Sequence, residues 1–163
     1  MKYLIFAFFC VSFTLSVSAV PFLSQYTNSL DQWNTLNPSS YSFVVYSSSE
    51  VVDIEIKTTI EVTDNVVTKR SFWKKDNFNY SNKITTWEES TPETINSHKE
   101  GFVAITLGDV YYQCRTNILA QDPRNFNIFF EAKNNGLISK CGFSAMNCED
   151  DCFRGVKIES INY

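Results

Sequence analysis

Apolar and polar positions alternate most regularly between residues 52 and 62. Val52, Ile54, Ile56, Thr58, Ile60 and Val62 share one parity, while Asp53, Glu55, Lys57, Thr59 and Glu61 share the other. A period of two predicts a strand with one dry and one wet face. Asp64-Asn65 supplies a turn, and residues 66–73 return as the partner strand. Ahead of this hairpin, residues 41–46 are aromatic and β-branched, which predicts another strand, ended by the polar run Ser47-Ser48-Ser49-Glu50. Earlier still, Phe22, Tyr26, Leu30 and Trp33 recur at helical spacing, predicting a helix over 22–36 that stops at Asn37-Pro38. Residues 83–87 read as a short strand, 90–101 as a charged loop and 102–105 as a brief apolar approach. Thr106-Leu107-Gly108-Asp109 has the form of a capping box with Asp in place of Glu. The helix it starts carries Leu107, Val110, Tyr111, Cys114 and Ile118 on one face and ends near Ala120. Residues 125–132 and 137–143 form a predicted hairpin around Asn134-Asn135-Gly136, and residues 155–161 close the sheet.

Helices segregated from antiparallel hairpins predict an α+β domain. The expected arrangement is a curved antiparallel sheet with two helices packed on one face. In broad architecture it resembles cystatin-like binding scaffolds, here stapled by disulfides.

The first residues change the picture. Met1-Lys2-Tyr3 precedes an apolar run over residues 4–11, and the stretch ends at Val17-Ser18-Ala19. These are the three parts of a secretory signal, with cleavage expected after Ala19. A membrane anchor needs roughly 20 apolar residues, and Ser12, Thr14, Ser16 and Ser18 interrupt this one. The expected organisation is a leader over 1–19 and a single secreted domain over 20–163. Removing 19 residues from 163 leaves 144, enough to bury a core. No later segment is long or apolar enough to span a bilayer.

Loss of Cys10 with the leader leaves Cys114, Cys141, Cys148 and Cys152, an even number in an oxidising compartment. Three pairings are open. Cys114–Cys141 with Cys148–Cys152 is preferred, because the last two share one short loop. The spacing lacks the paired knuckles of a structural zinc site. Asn79-Tyr80-Ser81 is a glycosylation acceptor, which places Asn79 on a surface.

The formal charge of −4 becomes −5 once Lys2 is removed. Lys69-Arg70 and Lys74-Lys75 are short basic pairs, expected on the wet face of a strand. Nucleic acid is disfavoured as a partner, since binding it requires many phosphates to be neutralised.

No catalytic constellation emerges. His98 stands in a polar stretch with only Ser97 beside it, which is poor geometry for a triad. Glu149-Asp150-Asp151 could offer oxygens to calcium, but the ligand spacing of known loops is absent and a solvated turn is preferred. Glu55, Glu61 and Asp53 are ordered acids whose alternation explains them as solvent-facing; with Asp150 they are the residues a glycosidase-like acid pair would draw on. No catalytic residue, metal site or cofactor is therefore expected. Phe78, Tyr80 and Trp87 fall outside the clean alternation and are the candidate binding residues, weighed against packing beneath the loop that follows.

The order of elements, with Trp33, Tyr41-Ser42-Phe43, the Thr-started helix and Asn134-Asn135-Gly136, resembles a family of small exported proteins known only as domain of unknown function 6174. The resemblance spans most of 22–161 and departs in lacking that family's usual cysteines after the first strand. It implies the fold and no activity. The expected function is a secreted binding module, such as an inhibitor, adhesion or matrix component, with an extracellular protein or glycan as partner. The alternative is a small extracellular hydrolase with an acidic site.

Overall fold

Pro21 opens helix α1 (Pro21–Leu36), where its missing N–H leaves no bond unmade. Tyr26, Ser29 and Trp33 are buried along one stripe, with Phe22 and Leu30 packed beside them. Asn37 ends the helix in a left-handed conformation (φ 38°), its N–H donating to Trp33 O at 2.9 Å. This computed structural model describes residues 21–77, 82–148 and 152–163. The expected leader over 1–19 and its expected cleavage site, with Phe78, Asn79, Tyr80 and Glu149-Asp150-Asp151, lie outside the described residues.

Seven strands follow: β1 (Tyr41–Ser49), β2 (Ile54–Thr63), β3 (Val66–Asp76), β4 (Lys83–Glu89), β5 (Phe126–Glu131), β6 (Lys140–Ala145) and β7 (Arg154–Asn162). Helix α2 (Leu107–Gln113) lies between β4 and β5. The strands make one antiparallel sheet in the order β4-β3-β2-β1-β7-β6-β5. The chain thus starts at the centre, meanders to one edge, crosses the face through the 90–105 loop and α2, and returns from the other edge. Its first and last strands meet in the middle. The fold is α+β, with both helices on one face.

That face carries the core. Tyr41, Phe43 and Val45 of β1, Ile60 and Val62 of β2, Phe130 of β5, Cys141 of β6 and Val156 and Ile158 of β7 all point to it. Trp33 packs edge-on against Tyr41, and Tyr26 packs against Phe130 and Tyr111. The buried hydroxyls are paired: Tyr111 Oη lies 2.7 Å from Ser29 Oγ and accepts from Ile138 N at 3.0 Å. Tyr41 Oη accepts from Leu107 N at 3.0 Å. Cys114 and Cys141 form a disulfide between the end of α2 and β6, their Cα atoms 6.0 Å apart and both side chains buried. Cys148 pairs with Cys152. Both bridges match the preferred pairing. Among the described residues, no helix is long and apolar enough to cross a membrane.

Four local expectations are corrected. The serine run does not end β1: Ser47, Ser48 and Ser49 lie opposite Ile56, Glu55 and Ile54, so the ladder to β2 carries the strand through them. Val52 is not part of β2, because residues 51–53 turn, with Asp53 at φ 46° and Val51 70 % exposed. Arg70 is not on the wet face. Adjacent strand residues face opposite sides, so Lys69 is outside while Arg70 is buried at 2 % exposure. Finally, α2 passes into a π turn over Cys114–Ile118, where Leu119 N donates to Cys114 O at 2.9 Å. The extra residue in that turn rotates the helix face, so Leu119 is buried where helical spacing indicated Ile118.

Candidate binding cleft

Where β1 and β7 meet, the sheet divides. Their pairing runs from Ser42–Asn162 to Val45–Ile158 and slips at Val44/Val45. Beyond that point β1 continues on β2, and β7 continues on β6. Among the described residues, 46–48 of β1 and 154–157 of β7 therefore have no strand partner on the sides that face each other.

Two cavities occupy the gap. One, of about 260 Å³, is lined by residues 46–49, Phe153, Gly155 and Lys157. The other, of about 330 Å³, is lined by Val45, Tyr46, Ser47, Ile56, Thr58, Gly101, Phe102 and Gly155. They share Tyr46, Ser47 and Gly155. The first lies beside Lys157 and the second against Gly101 and Phe102 of the 90–105 loop. Gly155 is required at the cleft wall. A β-carbon there would press against the Cys141 carbonyl, and the residue sits at φ 149°.

The inner wall is set by a buried ion pair. Arg70 of β3 and Glu89 of β4 face each other across the ladder at 2 % and 1 % exposure, with Nη1 3.2 Å from Oε2. The remaining Arg70 donors hold three carbonyls of the 90–105 loop: Phe102 O at 2.8 Å, His98 O at 3.2 Å and Glu100 O at 2.5 Å. Glu89 accepts from the N–H of Asn96 and of His98, both at 2.7 Å, and from Ser97 Oγ at 3.1 Å. Asn96 closes the loop further, accepting from Ala104 N and donating to Ala104 O. Phe102 N then donates to Thr58 Oγ1 at 3.0 Å, and Gly101 fits against Thr58 and Phe72 at φ 77°, where a side chain would collide. Gly101 and Phe102 are thereby fixed as cleft lining. Burial pushes the Glu89 carboxyl up, but the bonds from His98, Asn96 and Arg70 outweigh it and hold the group down at about 2.

His98 belongs to this cluster. Its Nδ1 lies 3.0 Å from Glu89 Oε1, and its ring stacks on Trp87 at 4.1 Å between centroids. A carboxylate-oriented imidazole is one half of a general-base arrangement. Among the described residues Glu89 is the only hydrogen-bond partner of the ring, and the neighbouring Ser97 hydroxyl bonds the same carboxylate rather than the imidazole. Trp87, a candidate from the sequence, is half-buried between His98 and Phe72, with the Arg70 guanidinium 4.7 Å from its ring. Its Nε1 is buried without a partner among the described residues. Glu55 and Glu61 stand on the opposite face of the sheet. Six residues of strand separate them by ~20 Å, beyond the separation of about 5–9.5 Å that glycoside chemistry uses. The described residues contain no cluster of three metal-ligating side chains.

The sequence flagged Trp87 and His98 but not the residues that build the cleft. Parity carried a usable signal for two others: Arg70 shares its face with Phe72, and Glu89 shares its face with Trp87, which marks both as inward-facing charges. Nothing in the local pattern marks residues 46–48, Gly155 or Lys157, because their role comes from the meeting of the two chain ends. No known protein family, curated protein or solved structure matches this chain.

Proposed function

We propose that the protein is an extracellular binding module that takes a segment of a partner protein into the cleft between β1 and β7. The carrying observation is the divided sheet, in which the facing edges of β1 and β7 have no strand partner among the described residues and line two neighbouring cavities. Unpaired edges are templates for added chain, and strand addition is a recurrent mode of peptide recognition. The extracellular setting is supported by the leader pattern and by the paired cysteines. The His98–Glu89 cluster supports the reading as the part of the molecule that fixes the loop lining the cleft.

Photo-crosslinking tests this reading. A photoreactive residue at Ser48, on the cleft rim, is expected to capture polypeptide from the native extracellular medium. The same residue at exposed Thr116, on the π turn, is expected to capture little. Equal labelling from the two positions would count decisively against the cleft.

A further inference from the structure

We infer that the cleft selects an extended polypeptide segment bearing acidic side chains, adding along the open edge of β1 with its carboxylates toward Lys157 and Lys140. The inference rests on the reading of the cleft as a peptide site and names the chemistry of the occupant.

The charge arrangement carries it. Lys140 and Lys157 lie directly opposite each other across β6 and β7. Like charges at such a pair are destabilising. Both ammonium groups also crowd one ring: Lys140 Nζ is 5.4 Å and Lys157 Nζ 5.1 Å from the centroid of Phe153, which lines the cleft. Lys140 has a carboxylate, Glu131 Oε1, at 3.4 Å, and Lys133 also engages that side chain. Among the described residues Lys157 has no ion-pair partner. The acid nearest to it in sequence, Glu159, is engaged by Lys57 at 2.7 Å. A chain of net charge −4 thus keeps a local cationic surplus at the wall of this divided ladder. An incoming carboxylate relieves the Lys140–Lys157 repulsion, whereas a neutral segment leaves it in place. The edge supplies the rest. On the side facing β7, residues 46–48 have no strand partner among the described residues, so the recognised group travels on an extended chain rather than as a free anion.

The test is an amide chemical-shift titration of the purified, disulfide-intact protein with three probes. The first is a short capped peptide of alternating threonine and valine carrying two glutamates. The second replaces the glutamates by glutamine, and the third is an anionic heparin-derived oligosaccharide. The glutamate peptide is expected to shift the amides of residues 46–48 and 155–157, and the glutamine peptide the same amides about three- to tenfold more weakly. In Lys157→Glu the preference for the glutamate peptide is expected to vanish, with the rest of the amide spectrum unchanged. Equal affinity for the glutamate and glutamine peptides overturns the acidic preference and leaves the cleft as a peptide site. Binding of neither peptide at these amides overturns both readings. Shifts at the cleft from the oligosaccharide alone replace the polypeptide with a glycan and overturn the inference.

Discussion

Arg70 and Glu89 place opposite charges where strand alternation elsewhere puts apolar side chains. Taking both out of water costs several kcal/mol per ion, and mutual attraction offsets this only when the remaining donors and acceptors are also satisfied. Here they are, and the satisfying groups come from the 90–105 loop. The pair therefore orders the polar part of a loop whose Ile95, Phe102, Ala104 and Ile105 pack against the core. Glu89→Gln leaves the guanidinium buried without a counter-charge and is expected to destabilise the protein by about 3–5 kcal/mol, read by urea denaturation. Hydrogen exchange should show the amides of Asn96, His98 and Ala104 losing protection more than those of the sheet. The pH dependence follows from the depressed Glu89 value. The unfolded chain binds the proton near 4.5 and the folded chain near 2. Stability from this group is thus complete above about 4.5, declines as pH falls, and is gone below about 2. An acid titration monitored by tryptophan fluorescence should show wild type losing stability through this window, and Glu89→Gln losing less of it.

At the scale of elements, legibility depended on whether the cause was local. The capping box is local: Thr106 Oγ1 accepts from Asp109 N at 3.1 Å, and Asp109 Oδ2 accepts from Thr106 N at 3.1 Å, as the residue types indicate. The α1 stripe and the β2 alternation are local too, and both held over most of their length. The π turn is not. Its extra residue moves the buried position from Ile118 to Leu119, which the spacing of the preceding turns does not indicate. The extension of β1 through three serines is imposed from outside, by β2. The Cys114–Cys141 bridge joins a helix end to a strand within the buried face, closing a long loop in the unfolded chain. Replacing both cysteines by alanine is expected to cost about 3–5 kcal/mol and to lower the thermal midpoint. Replacing Cys148 and Cys152 should cost less, because that bridge closes only a short loop.

The sheet is joined at its centre by its first and last strands, and the cleft is the consequence of how far that pairing runs. β1 and β7 pair over their Ser42–Asn162 to Val45–Ile158 stretch and then follow different neighbours. No window of sequence contains both strands, so pattern reading delivered the α+β class and the helices on one face but not the division between the strands. Gly155 is the residue through which this global feature can be tested. It lies opposite Gly142 on β6 and lines both cavities. A methyl group at that position meets the Cys141 carbonyl and the Gly142 α-carbon, neither of which can rotate away as a side chain would. The backbone of β6 and β7 must then separate. Gly155→Ala is expected to destabilise by about 1–3 kcal/mol, with amide shift changes spreading along residues 140–143 and 154–157. If the β1 edge and the β7 wall act as one site, the same substitution should weaken the glutamate peptide while leaving the Arg70–Glu89 loop protected from exchange. A variant that loses stability yet binds the peptide unchanged would place the recognition on β1 alone.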